Sequence, residues 1–341
     1  MTARDLEAIA NAMVAKGKGI LAADESTGTI QKRLAGINVE STEENRRAYR
    51  ELLFTTEGAG DYISGVILFD ETLRQSTKDG KPFVRCLDAA GIIPGIKVDK
   101  GAKQLAVALE ERVTEGLDGL REQLNEYSDL GARFTKWRAV ITIGDGIPSR
   151  YCIEANAHAL GRYAALSQEA GLVPIVEPEV LMDGDHDIEH CREVTEATLH
   201  AVFHQLFEQR IALEGMLLKP NMVVSGKDCP TQAGVEAVAK ITVKTLRRCV
   251  PAAVPGIVFL SGGQSEEEAT VHLNAMNAIG SQPWELSFSY GRALQQSALQ
   301  VWSGDPAKVQ AAQAAYLHRA RMNGAARSGR YKPEMEEELA A

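Results

Sequence analysis

Eight short apolar runs recur along the 341 residues, longer stretches with helical spacing lie between them, and no low-complexity linker divides the chain. These observations predict an α/β protein folded as one (β/α)8 barrel of the TIM type, a single domain in which strand and helix alternate at intervals of roughly 30 to 45 residues. The rival architecture, a doubly wound open sheet, lacks its usual mark, because no G-x-G-x-x-G follows the first run.

The predicted strands are, in order, GILAA near residue 19, ISGVILF near 63, IIPGIKV near 92, WRAVITI near 137, LVPIVEP near 172, MLLKP near 216, GIVFLSG near 256 and ELSFSYG near 285. Between them, Ser41 with Glu44 and Ser265 with Glu268 fit the S-x-x-E capping box that starts a helix. The barrel is expected to occupy residues 1–333. The end of the chain, GRYKPEMEEELAA, is acidic and interrupted by proline, and its last residues, 334–341, are expected to form a tail outside the barrel that is free to move.

Composition narrows the partners. The chain is 45% hydrophobic and 24% charged, ordinary for a globular protein, and its net charge of -9 is opposite to what a phosphate backbone requires, so nucleic acid is not an expected partner. Any anionic ligand must then be held by a local pocket. MTARDLEAIANAMVAKGKG has no uninterrupted apolar segment of a secretory signal, and no apolar run approaches 18 residues, so no membrane association is expected. Five cysteines, Cys86, Cys152, Cys191, Cys229 and Cys249, are scattered and never in CxxC spacing. They read as reduced thiols of a cytoplasmic protein.

Barrel enzymes build their sites at the C-terminal ends of the strands, so the polar residues that end each apolar run are the ones to weigh. Asp24 and Glu25 end the first run, Lys97 and Asp99 the third, Glu177 and Glu179 the fifth, Lys219 the sixth, Ser261 the seventh, and Ser289 to Arg292 the eighth. Lys136 and Arg138 stand two apart in the fourth, so both project inward with Trp137 opposite.

Lys219 follows Met216, Leu217 and Leu218, a setting that disfavours an ammonium and favours a nucleophilic amine, the more so with Lys136 nearby. Pro220 keeps it on the strand. A Schiff base on that amine needs acid–base partners, which carboxylates can supply: Asp24 and Glu177 come from different strands, and Glu179 is placed to raise the pKa of Glu177 by like-charge repulsion. Taken singly, each carboxylate is as well explained as a solvated loop residue or helix cap, and Lys219 as a lysine snorkelling from a strand end.

Two segments, SGGQSEEEA and SYGRALQQS, place small residues just before a helix, where free N–H groups bind oxyanions. Ser261, Gly262, Gly263, Ser289 and Gly291 would line such a site, and Arg292 would close on a phosphate. The glycines also suit ordinary turns. A second anion site is expected from Lys97, Arg138, Ser26 and Arg33.

With these residues in place, the sequence closely resembles class I fructose-bisphosphate aldolase from the first strand to about Pro333. The resemblance is carried by GKGILAADESTGTIQKRL, GIKVDKG, KWRAVITIG, VEPEVLMDGDHD, LLKPNMV, FLSGGQSEEEA and SFSYGRALQ, in that order. It implies a barrel, usually a homotetramer, that splits fructose 1,6-bisphosphate into dihydroxyacetone phosphate and glyceraldehyde 3-phosphate and runs the reverse condensation, in glycolysis and gluconeogenesis, without metal or other cofactor. It further implies Lys219 as the Schiff-base lysine, Glu177 as the acid that dehydrates the carbinolamine, Asp24 as the group handling the C4 hydroxyl proton, Lys136 as the assisting lysine and Glu179 as the second carboxylate. Ser261, Gly262 and Arg292 resemble the groups that hold the C1 phosphate, with Lys97, Arg138, Ser26 and Arg33 toward the C6 end. Animal members of the family end in a tyrosine, whereas this sequence ends in Leu339, Ala340 and Ala341 with Tyr331 its last tyrosine. Enamine protonation is then left to Tyr331, a carboxylate or water. Thr29, where the family often has serine, keeps the hydroxyl.

Three rivals are weighed. A metal-dependent aldolase or hydrolase would use the pairs His186 with His190 or His200 with His204, whose spacing suits zinc on a helix, although HAVFH lacks the Glu of H-E-x-x-H. A non-catalytic aldolase-like scaffold is opposed by the joint presence of Asp24, Lys136, Glu177 and Lys219. A lysine aldolase acting on another phosphosugar, such as fructose 1-phosphate, is opposed by phosphate-binding residues at both ends of the site.

Overall fold

The computed structural model describes residues 3–339 and closes eight parallel strands into a barrel. The strands are β1 (Gly19–Ala23), β2 (Ile63–Leu68), β3 (Ile93–Lys97), the hairpin strands β4 (Ala102–Gln104) and β5 (Arg112–Thr114), then β6 (Phe134–Ile141), β7 (Val173–Val180), β8 (Leu217–Leu218), β9 (Gly256–Phe259) and β10 (Glu285–Tyr290). Around the barrel the order is β1, β2, β3, β6, β7, β8, β9, β10, and β1 closes on β10 with Ile20 opposite Ser289 and Leu21 opposite Tyr290. All eight predicted runs are therefore barrel strands. The fourth begins earlier than predicted, at Phe134, and the sixth shrinks to Leu217–Leu218 with Lys219 donating its own N–H to Val176 O at 2.8 Å.

Side-chain alternation explains how one short run serves two layers. Phe134, Lys136 and Arg138 of β6 face the barrel axis, whereas Thr135 and Trp137 face out, Thr135 bonded to Tyr163 and Ser167 and Trp137 stacked on Tyr163 at 5.6 Å. The lower inward positions are apolar: Ile20, Ala22, Ile67, Phe134, Val173, Ile175, Leu217 and Val258 form one buried cluster. One step further up β1, β6, β7 and β8, the inward positions turn charged: Asp24, Lys136, Glu177 and Lys219. Phe134 leans over its neighbour so closely that a methyl built on Gly95 would lie 2.3 Å from its ring, so glycine is what fits on the adjacent strand β3.

Helix Ala3–Met13 closes the N-terminal mouth. Leu6, Ala10 and Met13 recur at helical spacing and join the axial cluster, so the helix seals the lower end of the barrel.

Three features depart from simple alternation. After β3 an antiparallel hairpin, β4 with β5, precedes helix Leu120–Asp129. After β8 an irregular segment runs to helix Val235–Cys249. The expected capping box at Ser41 is not formed: Thr42 is the N-cap and accepts from Asn45 N at 3.1 Å, which leaves Glu44 one position short of reaching back, and it pairs with Arg47. The box at Ser265 and Glu268 is complete. Residues Pro333–Leu339 form a short 3-10 helix beside helix Val309–Ala326, where Glu336 accepts from Arg319 at 2.6 Å, from His318 at 2.8 Å and from the Tyr331 hydroxyl at 3.0 Å. No described helix is long and apolar enough to cross a membrane.

Candidate active site

Above the apolar layer, the C-terminal ends of the strands enclose a cavity of about 1270 Å³ lined by the five residues expected to carry the lysine chemistry and the ten expected to bind phosphate. At its floor β1, β6, β7 and β8 bring four charges into contact. Lys136 Nζ stands 2.6 Å from Asp24 Oδ2 and 3.2 Å from Glu177 Oε2, and Lys219 Nζ stands 3.2 Å from Glu177 Oε1. Glu177 thus lies between two lysines. The chain of contacts runs Asp24, Lys136, Glu177, Lys219, with every member at least largely buried; Lys219 is only 3% exposed.

Burial alone would raise the pKa of Asp24, but the charges of Lys136 and Lys219 outweigh it and hold the carboxyl well below its ordinary range. Glu177 behaves likewise, burial being overcome by Lys136, Lys219 and Arg138, so its pKa falls. This corrects the expectation of a Glu177 raised by Glu179: three cations face Glu177, while Glu179 is taken up in an ion pair with Arg138. For Lys136, burial pulls the pKa down, and Asp24 and Glu177 more than restore it, so the ammonium is held above its usual range. A lysine held in its charged form between two carboxylates keeps both of them ionised.

The walls carry anion-binding groups. The loop after β9 takes Gly262 and Gly263 through φ of +59 and +97, which favours glycine in both places, and turns their backbone toward the cavity. It is braced from behind: Gln264 donates to Ser261 O at 3.0 Å and its carbonyl meets His272 Nδ1 at 2.5 Å. From β10, Ser289 presents a hydroxyl that is buried and without a hydrogen-bond partner, Gly291 caps helix Arg292–Trp302, and Arg292 has no ion-pair partner among the described residues.

On the other side the cations are already neutralised. Lys97 Nζ sits 2.6 Å from Asp99 Oδ1, and Arg138 pairs with Glu179. Arg33 pairs with Glu25, which is buried between it and Arg50, whose Nη2 lies 2.5 Å away. Arg33 departs from the expected grouping with Lys97 and Arg138. Because β1 pairs with β10, the segment after β1 lies beside the segment after β10, and a methyl built on Gly291 would stand 3.6 Å from Arg33 Nη2. Ser26, bonded to Thr29 at 3.1 Å, starts the same helix, Thr27–Ala35.

The family model described as fructose-bisphosphate aldolase class-I matches residues 5–341. The chain belongs to the class-I fructose-bisphosphate aldolase family. A relative from Xanthomonas campestris pv. campestris, named probable fructose-bisphosphate aldolase class 1, is 63% identical over 333 residues, 97% of this chain and 100% of the relative. Fructose-bisphosphate aldolase 4, cytosolic, of Arabidopsis thaliana is 58% identical over 332 residues, 96% of this chain and 84% of the relative. Among solved structures, the Plasmodium falciparum aldolase crystallised with TRAP and a small molecule inhibitor superposes with a TM-score of 0.96 at 53% identity, covering 97% of this chain and 96% of that one.

Within this aldolase-family chain, some groups lie elsewhere than the sequence placed them. Tyr331 is not among the lining residues. It is buried on the outer side of the barrel with its hydroxyl on Glu336, and burial together with that carboxylate pushes its pKa up to about 12, so it is withdrawn as an enamine proton donor. None of the four histidines of the zinc alternative lines the cavity, and no group of three or more His, Cys, Asp or Glu among the described residues is placed to hold a metal. His186 is buried with neither ring nitrogen partnered, and His200 Nε2 lies 3.6 Å from Cys249 Sγ. Conversely, Lys227, Asp183, Lys100 and Lys32 line the cavity unforeseen, because they stand in irregular segments or helices where no strand-end rule points.

Proposed function

We propose that this chain cleaves fructose 1,6-bisphosphate reversibly to dihydroxyacetone phosphate and glyceraldehyde 3-phosphate through a Schiff base on Lys219. The observation that carries it is the buried sequence Asp24, Lys136, Glu177, Lys219 beneath a glycine loop and an unpaired arginine. Lys219 Nζ is the nucleophile and must lose a proton before attacking the ketone; Glu177, 3.2 Å away, is the acceptor at hand. The same carboxyl then returns the proton to the carbinolamine oxygen, which leaves as water. The positively charged iminium draws the C3–C4 bonding electrons, and Asp24 takes the C4 hydroxyl proton as the aldehyde forms. Lys136 steadies both carboxylates throughout. With Tyr331 remote, the carboxylates and water remain to protonate the enamine.

Ser261, Gly262, Gly263, Ser289, Gly291 and Arg292 bind the phosphate nearest the ketone, with Arg33 and Ser26 beside them. Lys97 and Arg138 meet the distal phosphate by exchanging carboxylates for it, and Glu179 is the group that Arg138 leaves. An arginine without a partner on one side and paired cations on the other support fructose 1,6-bisphosphate as substrate with the first phosphate dominant. Residues 1–333 form the catalytic barrel and 334–341 an appended acidic tail. A homotetramer accords with the family and with exposed Leu109 and Phe207, and sedimentation would decide it. Residence in the cytoplasm is supported by the cytosolic relative and by free cysteines.

Borohydride reduction in the presence of dihydroxyacetone phosphate, followed by peptide mapping, tests the chemistry. Label is expected on Lys219 alone and absent from Lys219→Met; label on any other lysine overturns the assignment.

A further inference from the structure

Among the lining cations with no assigned part in the aldol chemistry, Lys227 lies nearest the glycine loop after β9. Lys227 stands in the irregular segment after β8, yet its backbone is held by three main-chain bonds to the segment after β7: Gly226 N to His186 O at 2.8 Å, Lys227 N to Met182 O at 2.8 Å and Asp228 N to Gly184 O at 2.9 Å. The approach is close, since a methyl on Gly226 would lie 2.2 Å from Gly184 O. From this fixed base the side chain reaches across to the loop after β9. A methyl built on Gly263 would stand 3.2 Å from Lys227 Nζ and 3.1 Å from Arg292 Nη2, so two cationic heads from different loops converge on the bare face of that glycine. Arg292 has no ion-pair partner among the described residues. Lys227 has one, Asp183 at 2.8 Å, on a side chain that is 62% exposed. An ion pair so open to water is weak and easily exchanged, whereas a phosphate dianion beside an arginine is a stronger partner.

We propose that Lys227 is a second phosphate-binding cation of the site formed by Ser261, Gly262, Gly263 and Arg292, and that Asp183 competes with the phosphate for it. The inference rests on the proposed aldolase function. On entry of the phosphorylated ketone, Lys227 moves from Asp183 to a phosphate oxygen, so Asp183 sets how tightly that end is held. Because the phosphate does not react, the contribution is the same before and during bond cleavage and falls on KM rather than kcat.

The test uses Lys227→Met, Lys227→Arg and Asp183→Asn in the full chain, read by steady-state cleavage and by calorimetric titration with inorganic phosphate. Lys227→Met is expected to weaken phosphate binding and raise KM by about tenfold, with the loss on KM rather than kcat. Lys227→Arg should restore most of both. Asp183→Asn should tighten phosphate binding a few-fold, opposite in sign to Lys227→Met. The proposal is overturned by a Lys227→Met protein whose phosphate affinity stays within about twofold of the parent, or by an Asp183→Asn protein that binds phosphate as weakly as Lys227→Met, which would make the pair a structural strut. Failure of the parent protein to trap dihydroxyacetone phosphate at Lys219 sinks the aldolase function instead, and the phosphate titration still decides on Lys227 by the same signs.

Discussion

At the scale of single residues, Lys136 carries the most consequence, because two buried carboxylates depend on its charge. Asp24 and Glu177, ordinarily at 3.8 and 4.5, are both depressed in the fold, so the unfolded chain takes up these protons first as pH falls. Their contribution to stability is therefore complete above about pH 5 and is lost progressively on acidification. Lys136→Met removes the compensation and leaves buried charge unpaired. A loss of about 3–5 kcal/mol is expected, together with a flatter dependence of the urea midpoint on pH below about 5. An unchanged slope would show that Lys136 does not depress these groups. In the same variant kcat should fall by about 100-fold or more, and the acid limb of its pH profile should move upward as Asp24 and Glu177 regain higher values. Much at this scale was legible in the sequence. Two-residue spacing placed Lys136 and Arg138 on one face, and the apolar residues before Lys219 foretold its burial. What escaped was the partner of each charge: Glu179 belongs to Arg138 and Arg33 to Glu25, and such pairings are set by which strands become neighbours.

At the scale of elements, the strands were readable because each is a short, largely buried apolar run, several of them buried from end to end. The hairpin after β3 was not, since AKQ and RVT are short, polar and half-exposed. The brevity of β8 also escaped, because MLLKP looks like any other run. The contact between Gly95 and Phe134 packs the neighbouring strands β3 and β6 against each other inside the barrel and can be probed directly. Gly95→Ala should cost about 1–3 kcal/mol by overpacking, and Phe134→Leu in the same background should recover part of it. Equilibrium denaturation of the two singles and the double gives the coupling. Strict additivity would mean that the ring yields and that the glycine is there for another reason.

At the scale of the whole molecule, charge is segregated. The chain bears a net charge of -9, whereas ten Lys and Arg against seven Asp and Glu line the cavity, a local excess of the opposite sign. A bisphosphate is repelled by most of the surface and drawn to the mouth. Raising ionic strength from about 0.02 to 0.2 M should therefore lower kcat/KM severalfold while kcat changes little. A flat response would mean that the local excess has no reach beyond contact. The closure of β1 on β10 was implied by strand count alone, but the segregation needed the closed ring, which gathers the ends of eight distant segments on one side.

The stopper formed by Leu6, Ala10 and Met13 makes the barrel a blind chamber. Cargo and both fragments must share a single doorway, so nothing can be pushed out through the back. Under the proposed Schiff base on Lys219, the fragment without that bond departs first and clears the path, and the tethered half waits its turn for water to release it. With the axis packed from Phe134 down to that helix, the covalent tether alone sets which half leaves last.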